Sequence, residues 1–304
     1  MRVLFMGTPE FAVASLKRLV EDGHEVCGVI TQPDKPKNRG HKLQPTPVKE
    51  YALTHDLPVY QPQSAKDGEA MGIVESLKPE LIVVAAYGKV LPEELLNYPK
   101  YGSINVHSSL LPAYRGAAPI NWAILDGLEE TGVTIMDMAK ELDAGDIILQ
   151  KTTAIGEAED ALSLTARLAE LGAEALSEAV EKLQNGTAVH TPQDHEKHTY
   201  ASMLSRDMSP IDWTRPARSI HCQVRGLIPW PCASAELAGT KFKIYQTTVR
   251  GETGKAPGTI LSAGKQGIEV ACGDGRSLVI TELQAEGGKR MAAGAYLLGH
   301  PMNI

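Results

Sequence analysis

The sequence predicts an α/β fold, with an N-terminal Rossmann-like domain built on a mostly parallel sheet and a small C-terminal β-barrel domain of the OB-like kind. Two observations lead to this prediction. An apolar strand at 3–6, a helix and a second strand at 26–30 form a βαβ unit, which implies a parallel sheet with a right-handed crossover. Short strand-like runs towards the C-terminus, separated by glycine-containing turns, are typical of a small antiparallel barrel.

Apolar patterning extends the parallel sheet through the first domain. The first helix carries Phe11, Leu16 and Leu19 on one face. It is expected to end at Gly23. The uninterrupted apolar run at 81–86 predicts a strand in the middle of the sheet. The other predicted elements are helices at 48–55, 66–77 and 161–184 and strands at 103–107, 131–138 and 147–153.

Two domains are predicted, at 1–188 and 207–304, joined by a polar linker at 189–206. Residues 1–205 hold 18 Lys and Arg against 29 Asp and Glu, a net charge of −11, whereas residues 206–304 hold 12 against 8, a net charge of +4. Only the second domain therefore favours a polyanionic partner. Its predicted elements are a helix at 216–226 and strand-like runs at 233–249, 257–263, 267–272 and 277–285.

The composition indicates an ordinary globular protein. Hydrophobic residues make up 43% of the 304 residues and charged residues 22%. No apolar run is long enough for a transmembrane helix, and the first residues are too short an apolar stretch for a signal peptide, so a cytoplasmic location is expected. The four cysteines lack the spacing of a metal knuckle or a redox pair, and no metal is expected.

A long segment between the second strand and the following helix lacks apolar periodicity. Residues 32–47 are rich in proline and basic residues, which predicts an exposed loop. Residues 34–49 hold five Lys and Arg against one Asp in an otherwise acidic domain. Loops of this length inside a compact domain are usually functional or disordered, and a charged run is most often a solvated surface.

Three polar residues are candidates for catalysis. Asn105 and His107 lie two residues apart on a predicted strand, so their side chains share one face near its carboxyl end, where open α/β sheets bind ligands. Asp143 lies in a later loop whose Gly and Asp residues permit a tight turn. From residue types alone, structural roles in capping or hydrogen bonding remain as plausible as catalysis.

These three residue types suit acyl transfer between amines. Attack on a formyl carbon creates an oxyanion, which Asn105 and a protonated His107 could stabilise. Asp143 could hold His107 in its charged state, or it could order a water that moves a proton between the two nitrogens. Ser108 and Ser109 have no neighbouring group arranged to activate them as nucleophiles. Direct transfer without a covalent enzyme intermediate is therefore favoured.

The segment Ser-Ile-Asn-Val-His-Ser-Ser-Leu-Leu-Pro-Ala-Tyr-Arg-Gly at 103–116, with Leu-Asp-Ala-Gly-Asp at 142–146, resembles the formyl-tetrahydrofolate-dependent transferase superfamily. The resemblance implies 10-formyltetrahydrofolate as formyl donor, no metal, and a catalytic trio of Asn105, His107 and Asp143. It further implies folate contacts from two segments. Their residues are Ser109, Leu110, Leu111 and Pro112 in the first and Val90 and Leu91 in the second.

Further segments resemble the methionyl-tRNA formyltransferase family in particular. They are the start at 5–12, the basic insertion at 37–43 and the Pro-Trp-Pro sequence at 229–231. This resemblance implies formylation of methionyl initiator tRNA. A monomer is expected, with no membrane association and no obligate protein partner. The basic loop and the positive second domain then become candidate tRNA contacts. The residues are Lys37, Arg39 and Lys42 in the loop and Lys241 and Lys243 in the second domain.

Four other functions compete with this interpretation. A glycinamide ribonucleotide formyltransferase would share the trio but would need no second domain. A formyltetrahydrofolate hydrolase could share both domains and would pass the formyl group to water. A nicotinamide-dependent oxidoreductase is disfavoured because Thr8 and Pro9 follow Gly7 where the glycine fingerprint requires further glycines. A non-catalytic tRNA-binding protein would have no use for the trio.

Overall fold

The computed structural model describes residues 1–37, 42–65 and 68–302, which divide into two compact units. The chain contributes three segments to each unit. The first unit comprises Met1–Gly116, Thr131–Thr153 and Thr165–Tyr200, and the second comprises Ala117–Glu130, Ala154–Leu164 and Ala201–Ile304.

Seventeen strands and eight α-helices form within the described residues. The strands are β1 (Arg2–Gly7), β2 (Glu25–Ile30), β3 (Lys35–Lys37), β4 (Lys42–Gln44), β5 (Val59–Tyr60), β6 (Leu81–Ala85), β7 (Ser103–His107), β8 (Arg115–Gly116), β9 (Glu130–Asp137), β10 (Ile147–Ala154), β11 (Tyr200–Ala201), β12 (Ala233–Leu237), β13 (Thr240–Glu252), β14 (Ile260–Gly264), β15 (Gly267–Ala271), β16 (Arg276–Ala285) and β17 (Met291–Ala292). The helices are α1 (Glu10–Glu21), α2 (Pro47–Thr54), α3 (Glu69–Leu77), α4 (Glu93–Leu96), α5 (Pro119–Leu125), α6 (Ala161–Gln184), α7 (Ala217–Gly226) and α8 (Ala293–Gly299).

A seven-stranded sheet forms the centre of the first unit, in the order β10-β9-β7-β6-β1-β2-β5. The pairs β2–β5, β1–β2, β1–β6 and β6–β7 are parallel, whereas β9 runs antiparallel to β7. The mostly parallel sheet predicted from the sequence is therefore confirmed. Because β1, β2, β6 and β7 run in the same direction, the loops that follow them leave from one edge of the sheet.

Local sequence explains why the first elements form. All five residues of β6 are buried, as a central strand covered on both faces requires. Helix α1 buries Phe11, Leu16 and Leu19, and the chain turns after it at Gly23, whose φ of +76° is a conformation that favours glycine. Helix α2 begins with a proline at its first position, and the Thr46 side chain accepts a hydrogen bond from the Lys49 N–H.

One face of β7 is packed and the other is left for polar residues. Helix α6 crosses Val106 so closely that a Cβ added to Gly172 would lie 2.9 Å from Val106 Cγ1. Since side chains alternate along a strand, Asn105 and His107 project from the opposite face. The predicted bounds of α6 agree with those observed.

The second unit contains an antiparallel sheet in the order β12-β13-β16-β15-β14, with β17 also paired to β16. Among the described residues no pairing of β12 with β14 closes this path, so the predicted OB-like barrel is not confirmed. The run predicted at 233–249 is divided into two strands by a turn at Ala238 and Gly239, both with positive φ. Side chains from β12 to β16 and from α7 and α8 form its hydrophobic core.

Several local predictions differ from the structure. The segment predicted as a loop contains a short hairpin in which Lys35 pairs with Gln44 and Lys37 with Lys42. The residues between its two strands, 38–41, lie outside the described residues. Helix α3 starts at Glu69, and residues 66 and 67 of the predicted helix are likewise not described. Helices α4, α5 and α8 were missed because each is short and lacks a clear apolar period. None of the described helices is long and apolar enough to cross a membrane.

A glycine substitution tests the close packing of β9. A Cβ at Gly132 would lie 2.2 Å from the Lys151 carbonyl oxygen and 2.6 Å from Leu110 Cδ2. We expect Gly132→Ala to lower the free energy of unfolding by about 3 kcal/mol, because the backbone oxygen cannot move aside without disturbing the sheet. Urea unfolding measures the change. Gly72→Ala is the control, since nothing lies within 4 Å there and a helical position should gain ~1 kcal/mol. Equal stability of the two variants would contradict this account of β9.

Candidate active site

The three residues predicted as a catalytic trio meet in the first unit. His107 and Asn105 lie on β7, opposite Thr134 and Met136 of the neighbouring strand β9. The Nδ1 atom of His107 is 3.7 Å from Oδ2 of Asp143, close enough for an ion pair when the imidazole is protonated. The two side chains are only 7% and 10% exposed, so little water screens their interaction.

One nitrogen of His107 is already committed. Its Nε2 lies 3.0 Å from the carbonyl oxygen of Tyr114. Because a carbonyl oxygen only accepts hydrogen bonds, Nε2 must carry the proton and donate. Nδ1 is therefore the ring atom left for Asp143 or for a substrate. A proton on Nδ1 makes the ring a cation, which is the form that stabilises an oxyanion best.

The loop that carries Asp143 reaches His107 by an indirect route. Strand β9 is antiparallel to β7, and Asp137 at its end pairs with Ile104, three residues before His107. The loop after β9 must therefore turn back along β7. A hydrogen bond from the Asp137 N–H to the Asp146 carbonyl oxygen, 2.9 Å long, closes its base.

Two features fit this loop to its position. A Cβ at Gly145 would lie 1.9 Å from the Asp137 carbonyl oxygen, so only glycine fits there. Asp143 has a φ of +50°, a conformation that costs free energy for a residue with a side chain. Its Oδ2 accepts a hydrogen bond of 2.8 Å from the Gly116 N–H, which fixes the direction of the carboxylate.

Asn105 differs from its two neighbours in being available to a ligand. It is half-buried at the centre of β7. No hydrogen bond from its amide to another group occurs within the part of the chain that the structure describes. An amide held by its strand but not yet paired can donate to a substrate oxygen without breaking a protein contact.

The segment predicted to bind folate follows β7 directly and is held from below. The Ser109 hydroxyl donates to the Ala113 carbonyl oxygen, 2.7 Å away, so this side chain shapes the loop. Thr134 Oγ1 donates to the Ser109 carbonyl oxygen and accepts from the Leu111 N–H. Gln150 Nε2 donates to the Leu111 carbonyl oxygen and to Thr134. Ser109 and Leu111 are buried, whereas Leu110 and Pro112 are partly exposed.

Thr134 and Gln150 were not found by sequence reasoning. Each lies in a strand that the sequence analysis predicted, but a hydroxyl or an amide there signals nothing until the pairing partner is known. Their contacts hold the backbone from Ser109 to Leu111.

The second predicted folate segment follows β6 and leaves from the same edge of the sheet as the loop after β7. Val90 is 65% exposed and Leu91 is buried. Gly88 adopts a φ of +79°. The Gln32 amide lies against Gly88 and donates to the Tyr87 carbonyl oxygen at 2.8 Å. Val90 is thus the side chain of this segment that faces solvent.

The basic loop after β2 is anchored where it enters and leaves the fold. Lys49 Nζ lies 2.7 Å from Asp34 Oδ2 and 2.7 Å from Gln61 Oε1. The Lys49 ammonium and the Gln61 amide both lower the pKa of Asp34, so this carboxylate stays charged. Lys37 and Lys42 pair in the hairpin, while Arg39 lies outside the described residues.

Basic residues of the second unit lie along β13. Lys241 and Lys243 are exposed and alternate with the buried Phe242, so they share one face with Tyr245. The Arg290 guanidinium lies 4.4 Å from the Tyr245 ring centre and pairs with Glu282. No cluster of three or more His, Cys, Asp or Glu placed to hold a metal is found in the described ranges.

Family comparisons define the class of protein. Residues 1–180 match the family model for formyl transferases, and residues 203–301 match the model for the formyl transferase C-terminal domain. Both matches together span most of the chain. Strands β7 and β9 both lie within the first of these matches.

Relatives that match over nearly their full length show which family of formyl transferases the chain belongs to. The methionyl-tRNA formyltransferase of Trichlorobacter lovleyi is 50% identical over 303 residues, which cover 100% of this chain and 95% of that protein. That of Citrifermentans bemidjiense is 50% identical over 302 residues, covering 99% and 94%. The chain belongs to the methionyl-tRNA formyltransferase family.

A solved structure shares the fold at lower identity. The sugar 3N-formyl transferase WlaRD, crystallised in the presence of dTDP and 5-N-formyl-THF, aligns with a TM-score of 0.70. The alignment covers 92% of this chain and 97% of WlaRD at 18% identity. At that identity the likeness concerns the fold alone.

The base of the Asp143 loop gives a pH-dependent prediction. Burial raises the pKa of Asp137, and the hydrogen bond from His190 offsets part of that rise. The folded state thus binds this proton more tightly than the unfolded state. Its stabilising contribution is complete below the ordinary value of 3.8 and is lost as pH rises through the raised pKa.

We therefore expect wild type to lose stability relative to Asp137→Asn as pH rises from about 4 towards neutrality, since the amide does not titrate. Urea unfolding of both proteins at several pH values measures the difference. Two stability curves that stay parallel over this range would contradict the raised pKa.

Proposed function

We propose that this chain transfers the formyl group of 10-formyltetrahydrofolate to the amino group of methionyl initiator tRNA, at the face of β7 that carries Asn105 and His107. The observation that carries the proposal is the buried pairing of His107 Nδ1 with Asp143, beside the unpaired amide of Asn105. Family membership supplies the reaction, and this geometry supplies groups suited to it.

The reaction is a direct acyl transfer. The neutral methionyl amine attacks the formyl carbon, and its electron pair forms the new C–N bond while the carbonyl oxygen becomes an oxyanion. The Asn105 amide and the Nδ1–H of His107 donate to that oxyanion. Asp143, directly or through one ordered water, takes the proton from the attacking amine. The bond to the folate nitrogen then breaks as that nitrogen receives a proton.

Folate is proposed to lie against the two segments that leave the same edge of the sheet. These are Ser109–Pro112, whose backbone is held by Thr134 and Gln150, and the segment with Val90 and Leu91. With Ser109 Oγ committed to Ala113, we assign the polar contacts of this segment to backbone groups.

The tRNA is proposed to contact two basic regions. The first is the basic segment with Lys37, Arg39 and Lys42, which lies in the sequence between the anchoring residues Asp34 and Lys49. The second is the exposed face of β13 with Lys241 and Lys243, in the segment 206–304 with net charge +4. We further propose that the second domain, at 207–304, is an OB-like domain that binds tRNA, and that the catalytic domain spans 1–188. The enzyme is proposed to be a cytoplasmic monomer.

The acceptor is tested by competition. Purified protein is incubated with 10-formyltetrahydrofolate and charged initiator tRNA, with glycinamide ribonucleotide and water as rival acceptors. Formylmethionyl-tRNA as the main product supports the proposal. Release of formate at the same rate with and without tRNA would favour the hydrolase instead.

Substitutions in the trio should remove turnover and leave the fold intact. We expect Asn105→Ala and His107→Ala each to lower kcat by roughly 100-fold or more, because loss of one oxyanion donor costs on the order of 3 kcal/mol. Asp143→Asn should lower kcat as well, since it removes the charge beside His107. Single-turnover assays with circular dichroism measure both properties. His55→Ala, at an exposed histidine of the same unit, is the matched control. A folded His107→Ala enzyme with near-normal turnover would exclude that residue from the mechanism.

The basic loop should act on tRNA and leave folate chemistry unchanged. We expect Arg39→Ala combined with Lys42→Ala to lower kcat/KM for charged tRNA, with folate binding unaltered. Arginine can grip a phosphate with two hydrogen bonds or stack on an unpaired base. Each lost phosphate contact should reduce the salt dependence of tRNA binding by about one unit of slope.

The control for this double variant removes the same charge elsewhere. Lys17 and Lys182 lie on the exposed surfaces of α1 and α6, so Lys17→Ala with Lys182→Ala changes the net charge equally. Titration with tRNA at several salt concentrations compares the three proteins. If the loop variant and wild type bind tRNA with equal affinity and slope, the loop does not contact tRNA.

A further inference from the structure

Arg115 is a buried cation without an assigned role. Its side chain is 0% exposed and lies between the Asp143 loop and the segment around Gln193. Nε and Nη2 donate to Gln193 Oε1 at 3.2 and 2.8 Å, and Nη2 also lies 3.2 Å from His195 Nδ1. Nη1 is 4.0 Å from Glu141 Oε1 and makes no hydrogen bond within the described residues. A guanidinium buried in this way is held mainly by one neutral amide oxygen.

The other end of the same amide holds the Asp143 loop. Gln193 Nε2 donates to the Asp143 carbonyl oxygen at 2.9 Å and to the Gly145 carbonyl oxygen at 2.8 Å. Gln193 itself is only 5% exposed. The Gln193 amide nitrogen thus holds the loop on both sides of Ala144, while Arg115 holds the oxygen of the same amide.

Asp143 needs such a support. Its φ of +50° is costly, and it persists only where surrounding contacts outweigh that cost. Its carboxylate is oriented by a hydrogen bond from the N–H of Gly116, the residue that follows Arg115. Backbone and side chain of Asp143 are therefore both positioned through Arg115 and its neighbours. Gln193 lies in the segment that the sequence predicts as a linker, 189–206.

We infer that Gln193, held by Arg115, is a positioning residue for the formyl transfer. It keeps the Asp143 carboxylate 3.7 Å from His107 Nδ1, in position to take the proton of the attacking amine. Gln193 touches neither substrate, because it is buried behind the loop. This inference rests on the proposed role of Asp143.

Gln193→Glu separates the two ends of this amide. The carboxylate still accepts from Arg115, whereas the oxygen that replaces Nε2 repels the carbonyl oxygens of Asp143 and Gly145. We expect kcat to fall about 10- to 100-fold, with KM for folate and for tRNA within about threefold of wild type. The enzyme should remain folded because Arg115 keeps its partner.

Double substitution provides the decisive readout. If Gln193 acts through Asp143, then Gln193→Glu with Asp143→Asn should be no more than about twofold slower than Asp143→Asn alone. A residue with a merely structural role would slow both backgrounds equally. If Gln193→Glu does not fold, Gln193→Ala takes its place, since water can fill the space at Arg115 while the loop loses its support.

A matched control exists in the second unit. Gln223 is also 5% exposed, and its Nε2 donates to the carbonyl oxygens of Met208 and Pro210 at 2.8 and 3.0 Å. Gln223→Glu should lower the unfolding midpoint and leave kcat unchanged. Normal kcat in folded Gln193→Glu, or losses that simply multiply in the double variant, would overturn the inference. Full turnover in Asp143→Asn would instead overturn the proposed function of Asp143 itself.

Discussion

The antiparallel pairing of β9 with β7 is the interaction on which the site depends. It places Thr134 directly opposite His107, so that the Thr134 hydroxyl lies under the backbone from Ser109 to Leu111. It also brings the chain to Ile104 at the end of β9, from where the loop with Asp143 can return to His107. A parallel β9 would deliver neither group to this face.

Hydrogen-bond satisfaction then assigns each polar atom one task. The Tyr114 carbonyl oxygen accepts a hydrogen bond from His107 Nε2, and the Ala113 carbonyl oxygen accepts one from the Ser109 hydroxyl. The Gly116 N–H donates to Asp143 Oδ2. Two groups in the described part of the site make no hydrogen bond to the protein: the Asn105 amide and His107 Nδ1, which lies 3.7 Å from Asp143 Oδ2. Fully buried polar groups are normally satisfied within the protein, whereas the Asn105 amide is half-buried and has no protein partner among the described residues, which supports the proposal that it donates to a substrate oxygen.

Backbone constraints limit which residues fit the Asp143 loop. A Cβ at Gly145 would lie 1.9 Å from the Asp137 carbonyl oxygen, and Asp143 adopts a costly conformation two residues earlier. The amide of Gln193 and the buried charge of Arg115 hold this short loop from outside. These contacts therefore stabilise one position of the Asp143 carboxylate. Preorganised groups in active sites are generally held by surrounding contacts in this way.

The sequence by itself determined the parallel sheet, the long helix α6, the shared face of Asn105 and His107 on β7 and the place of Asp143 in the loop after β9, because apolar period, strand alternation and a long motif are local properties. Tertiary structure alone decided the rest. It decided the antiparallel direction of β9, the hydrogen bonds that Thr134 and Gln150 make, and the contact of Gln193 with the Asp143 loop. Each of these joins residues that are far apart in the chain. The hairpin within the basic loop and the open path of the second sheet likewise depend on pairing partners. Local patterns carry no record of which distant group completes a hydrogen bond.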